Sequence, residues 1–164
     1  MKFSRTFLVA LGIGMIVVGV VVFGTLVKTK GAHLVLAGNV MHVRTLSTDP
    51  QNSIVIVDFR VRNEAQIPFM SREAKLILTK ADGTELEGNT IAQTDMDRVF
   101  DYYKTLGPKY NPVLVQRDRV KGGETLDRML AASIALPEGD VEKRKNVTVR
   151  LFDVDGPTFD IKEK

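Results

Sequence analysis

Cysteine and tryptophan are absent from the chain, and histidine occurs only twice, at His33 and His42. Without cysteine there can be no disulfide, no thiolate nucleophile, no cysteine-ligated metal and no acylated-cysteine lipid anchor. The two histidines differ in parity, so a regular strand would point them to opposite faces, and a shared metal site would need a bulge. The motifs of catalysis are missing as well: there is no His-Glu-x-x-His, no Gly-x-Ser-x-Gly and no glycine-rich phosphate loop. "DVDG" at 153–156 resembles the start of a calcium loop but lacks the later oxygen ligands and the closing glutamate. Asp95, Asp97 and Asp101 would need ligands from elsewhere to hold a cation. The sequence therefore predicts no catalytic, cofactor-binding or metal-binding residues, and a protein that is not an enzyme.

Charge is missing from one long stretch. Residues 7–27, "FLVALGIGMIVVGVVVFGTLV", carry none. An apolar run of about 20 residues spans a bilayer as a helix, because lipid leaves every backbone group to be satisfied internally. The run exceeds a secretory h-region and leads into "KTKGAH" without an Ala-x-Ala site, so a retained signal anchor is expected over a cleaved leader. Lys2 and Arg5 precede it, and Lys28 and Lys30 follow. The expectation is a bacterial inner-membrane protein with residues 1–6 cytoplasmic, a transmembrane helix at 7–27, a linker at 28–32 and an extracytoplasmic (periplasmic) domain at 33–164. Gly12 and Gly19 share a helix face, and Ala10 and Gly14 form a small-xxx-small pair. These four are the candidates for packing against another membrane protein or a second copy.

Nucleic acid is not an expected partner. Setting aside Lys2, Arg5, Lys28 and Lys30 from the 23 basic residues leaves 19 against 20 acids, so the domain carries about −1. The basic clusters "QRDRVK" (116–121) and "EKRK" (142–145) are short or mixed in sign, unlike a nucleic-acid footprint.

The domain reads as short strands. In 53–63, "SIVIVDFRVRN", Val55, Val57, Phe59 and Val61 share one side, with Asp58, Arg60 and Arg62 on the other. That period of two with β-branched residues predicts a half-buried antiparallel strand. Further strands are expected at 33–46 (one, or two broken at Gly38-Asn39), 72–80, 112–120, 124–136, 146–154 and the final "TFDIKE", with a hairpin signal at Asp82-Gly83. The charged "PEGDVEKRK" reads as a loop. Residues 94–107 predict the one inserted helix. Thr94 is its expected N-cap, Met96, Val99, Phe100, Tyr103 and Leu106 form its apolar stripe, and Gly107-Pro108 stops it. The stripe should pack across one open end or face of the strands. Tyr102 and Tyr110, beside polar and turn residues, are the candidate partner surface.

"VDFRVRNEAQIPF" followed by "KLILTKADGTELEG", with the later "VKGGETLDRMLAASIALPEG", resembles the immunoglobulin-like domains of bacterial membrane-anchored proteins and lipoproteins. The resemblance implies a β-sandwich without shared catalytic residues. The fold expected is mainly β: one transmembrane α-helix, then an antiparallel immunoglobulin-like β-sandwich with an inserted helix. The expected function is protein–protein interaction as an accessory subunit of a membrane assembly. The alternative is a ligand-binding module with its pocket under 94–112.

Overall fold

In the computed structural model, residues 5–29 and 34–163 are described, and they form two separate units divided at His33. His33 lies outside the described residues, as do parts of the expected 1–6 segment and 28–32 linker.

The first unit is the helix α1, Arg5–Thr29, which encloses the whole uncharged run and has no amphipathic face. Its described apolar side chains are exposed, among them Ile13, Met15 and Phe23. Among the described residues no helix is long and apolar enough to cross a membrane.

The second unit is an antiparallel β-sandwich. Its strands are β1 (Leu36–Asp49), β2 (Asn52–Asn63), β3 (Phe69–Thr79), β4 (Glu85–Thr90), β5 (Arg119–Val120), β6 (Thr125–Ile134), β7 (Asn146–Asp153) and β8 (Thr158–Lys162). One layer is β1–β2–β6 and the other β3–β7–β8, with β4 joining them. This pairing matches the A–B–E and C–F–G arrangement of immunoglobulin-like sandwiches. Residues 85–88 of β4 pair with β3, whereas Asn89 and Thr90 pair with β6. Gly88 stands at the crossing. A Cβ there would lie 2.7 Å from the Ala132 Cβ, so only glycine lets the strand pass between the layers.

Between the layers lies the main core. Val55, Val57, Phe59 and Val61 meet Leu76, Leu78, Leu130, Val147, Val149 and Leu151 there, as their alternation predicts.

Several local expectations need correction. The segment 112–120 is mostly not a strand; only Val113 bridges to Met129, in parallel, before the two-residue β5. Pro112 lacks a donor, and Arg117 adopts φ 65°, which breaks an extended run. The charged loop after Pro137 contains a short helix, α3, Glu138–Glu142. The inserted helix α2 is Gln93–Tyr102, shorter than 94–107, and a 3-10 turn at Lys104–Leu106 completes it. Its N-cap is Ala92, without a side-chain cap, and not Thr94. The α-helix stops at Tyr103, short of the expected Gly107-Pro108, and Gly107 at φ 73° closes the 3-10 turn instead.

Candidate functional site

The outer face of β2 and β6 is covered around Ile54–Asp58, whereas Arg60 and Asp127 further along it stay in solvent. Ile54, Ile56, Met129 and Ala131 form a second apolar cluster there with Met96, Phe100, Leu106 and Val113, flanked by Val99 and Tyr103. Segment 93–114 thus covers a face of the sandwich. The space expected for a pocket under 94–112 is occupied by the helix's own Met96, Phe100 and Tyr103.

Beneath this lid sits a residue that the alternation assigned to solvent. The Asp58 side chain is fully buried and accepts a bond from Arg44 Nη2 at 2.8 Å. Its other oxygen accepts one from Asn111 Nδ2 at 2.9 Å. Arg44 Nη1 also donates to the carbonyls of Leu106 and Pro108, each at 2.9 Å. The guanidinium lies over the rings of Phe100 and Tyr110, at 5.2 and 4.8 Å. Strands β1 and β2 therefore grip the helix end, the 3-10 turn and the return loop through one cation and one anion. Burial makes each ion costly without the other. His42 contributes its ring to this stack, 5.5 Å from that of Tyr110.

Of the predicted surface residues, Tyr102 is 79% exposed and Tyr110 57%. They lie on the same lid but have different supports: Tyr102 packs edge-on against Tyr103, and Tyr110 rests on Arg44 and His42. Gly12, Gly14 and Gly19 lie in α1 with open space where a Cβ would stand. The Ala10 side chain is outside the described residues.

A cavity of about 210 Å³ opens between β3 and the 112–118 loop, with Ser71, Glu73, Thr90 and Gln116 as its polar lining. Among the described residues no group of three His, Asp or Glu side chains is placed to hold a metal.

The chain enters at the pole formed by the loops 63–69, 120–125 and 153–158. Asn63, fully buried, organises it: Asn63 Nδ2 donates to the carbonyls of Ile67 and Val120, and Oδ1 accepts from the Ala65 N–H. Gly122 lies so close that a Cβ would stand 2.7 Å from the carbonyl oxygens of Ala65 and Gln66. Buried Asp153 ties the third loop in by accepting from the N–H groups of Met70 and Asp155. At the far pole the turns present Asp49, Asp82, Asp140 and Glu142, with Lys80 against Asp82 and Lys143 against Asp140. The Thr84 N–H, chiefly, pulls the Asp82 carboxyl down to about 2, and the Gln51 N–H lowers Asp49.

Neither a protein family nor a curated protein matches the sequence. Solved structures of similar fold include the ApaA candidate of Bordetella pertussis, at 18% identity and TM-score 0.39 over 80% of this chain and 89% of that one. An uncharacterised β-sandwich protein of Clostridium difficile matches at 12% identity and TM-score 0.38, over 80% and 90% of the two chains. The archaellum periplasmic stator protein FlaG of Sulfolobus acidocaldarius matches at 9% and 0.34, over 78% and 99%. These are distant likenesses of fold, and the sandwich assignment stands on the strand pairing.

Proposed function

We propose that this is a non-enzymatic, single-pass membrane protein whose extracytoplasmic immunoglobulin-like sandwich binds a protein partner as an accessory subunit of a membrane assembly. It belongs, on this reading, with the membrane-anchored immunoglobulin-like domains of bacterial envelopes. One observation carries the proposal: α1 holds the uncharged run of 7–27 in a helix of 25 residues with its described apolar side chains exposed. At about 1.5 Å per residue the 21 uncharged residues of the sequence would reach roughly 30 Å as a helix, the thickness of the hydrocarbon layer. Tyr102 and Tyr110 supply the partner contact, since the lid beneath them is fixed by Arg44 and Asp58, and rigid tyrosines bind with little loss of conformational freedom.

The test is purification of the full chain from native membranes in mild detergent, followed by native mass analysis. We expect the chain to resist alkaline extraction and to co-purify with another subunit. Replacing both Tyr102 and Tyr110 with alanine should weaken that association by on the order of tenfold or more, the loss typical of interface hot spots. Alkaline release of the chain would overturn the anchor, and a strictly monomeric particle would overturn the accessory role.

A further inference from the structure

At the chain-entry pole, five cations stand exposed: Arg62 at the end of β2, Arg72 in β3, Arg117 and Arg119 around the start of β5, and Lys121. None of the five forms a salt bridge among the described residues, although Arg72 lies 5.8 Å from the Phe152 ring centroid. Elsewhere in the sandwich most cations are paired, as in Lys80–Asp82, Lys109–Asp97, Arg144–Glu163 and Arg150–Asp160. The mixed sign of "QRDRVK" disappears on folding, because Asp118 turns to Arg128 at 2.8 Å and leaves the cations of 117–121 unopposed. Glu64, Glu73 and Asp155 are the exposed acids of this pole, and Glu124 is half-buried, its carboxylate accepting from the Lys121 N–H at 2.7 Å.

Apolar tips stand among these charges. Val35 is 46% exposed, Ile67 37% and Val154 43%. Backbone bonds bring them to one end: the Glu64 N–H donates to the Val35 carbonyl, Asn63 fixes Ile67, and the Val154 N–H donates to the Met70 carbonyl. In a domain of about −1 net charge, a local excess of cations around apolar tips fits one surface chemistry: phosphate headgroups over an acyl boundary.

We propose that the chain-entry pole docks on an anionic lipid surface, with Arg62, Arg72, Arg117, Arg119 and Lys121 over the phosphates and Val35, Ile67 and Val154 at the headgroup boundary. The proposal rests on α1 being the anchor and adds a lipid preference and a fixed end of the domain to it. Five basic residues near a charged leaflet act together and are screened by salt.

The experiment is amide hydrogen exchange of the full chain in phosphatidylcholine nanodiscs with and without phosphatidylglycerol. The expected result is exchange on the order of tenfold slower over 63–68, 117–124 and 153–157 in the anionic discs, with the far-pole turns unchanged. High salt should abolish the slowing, and so should the triple variant Arg72→Glu, Arg119→Glu, Lys121→Glu. Unchanged exchange of the far-pole strands verifies that this variant is folded. Equal exchange in both lipids overturns the proposal, as does slowing that ignores phosphatidylglycerol, which would assign the pole to another occupant. Failure of the anchor reads differently: the chain would not enter nanodiscs at all. Salt-reversible flotation with phosphatidylglycerol vesicles would then support the pole, and no flotation would overturn it.

Discussion

The two outer faces of the sandwich solve the same problem in opposite ways. On β4–β3–β7–β8, Lys75 and Arg150 stand opposite each other, flanked by Glu87 on one side and Asp160 on the other. The row reads acid, base, base, acid, and all four side chains keep solvent contact. On β1–β2–β6 the outer face carries Ile54, Ile56 and Asp58 sealed under α2 and the loop that returns from it, with an exposed pair, Arg60–Asp127, only beyond the lid. An exposed pair contributes about 0–1 kcal/mol, whereas removing one partner of a buried pair costs about 3–5 kcal/mol. The geometry of the charges is similar on both faces; water decides their worth.

The strongest way to break this contrast is Asp58→Ala. It strands Arg44, whose Nε already lacks a partner among the described residues, and it frees Asn111. The expected loss is about 3–5 kcal/mol in urea unfolding of the full chain. Because all three tyrosines lie in 94–114, near-ultraviolet dichroism reports the lid directly. The double variant Arg44→Met, Asp58→Leu should recover much of that loss, as apolar replacements of buried pairs do. A single-variant cost below about 1 kcal/mol would place Asp58 in water. Next in size is Phe100→Ala, at about 3 kcal/mol, since the ring fills the outer cluster and underlies the Arg44 guanidinium at 5.2 Å. Its tyrosine signal should fall before the strands unfold; simultaneous loss of both would make lid and sandwich one cooperative unit.

How much of this was legible differs between the same two faces. Val55 to Val61 could be assigned to the inner core because a period of two fixes their side whatever covers the other. The lid helix was visible from its 3.6-residue stripe, though not its cap, since Ala92 carries no capping signal. Polar alternation puts Asp58 opposite the core side of β2 but gives no sign of its burial, because its cover comes from distant residues 96–111. One signal was available: Ile54 and Ile56 share the side of Asp58, and apolar residues on both faces of a strand mark double coverage. Arg44 gave no such sign, since its role depends on a cross-strand diagonal and two loop carbonyls. Similarly, "QRDRVK" looked electrically mixed until the fold withdrew Asp118 toward Arg128.

The smallest expected effect, and the sharpest test of the exposed face, is Asp160→Asn. Arg150 donates from Nε and Nη2 to the two carboxyl oxygens at 2.7 and 2.9 Å, holding Asp160 below the ordinary carboxylate range and raising Arg150. A depressed folded value means that the pair stabilises the fold above the unfolded value of 3.8 and loses that contribution as pH falls through the folded one. About a third of each side chain is exposed, so solvent screening limits the effect to about 0.2–1 kcal/mol at neutral pH. The difference between wild type and Asp160→Asn should therefore shrink in high salt and vanish once the medium is acid enough to protonate the native carboxylate. A difference above about 2 kcal/mol, or one indifferent to salt, would show that this face too is shielded from water, and the contrast between the two faces would collapse.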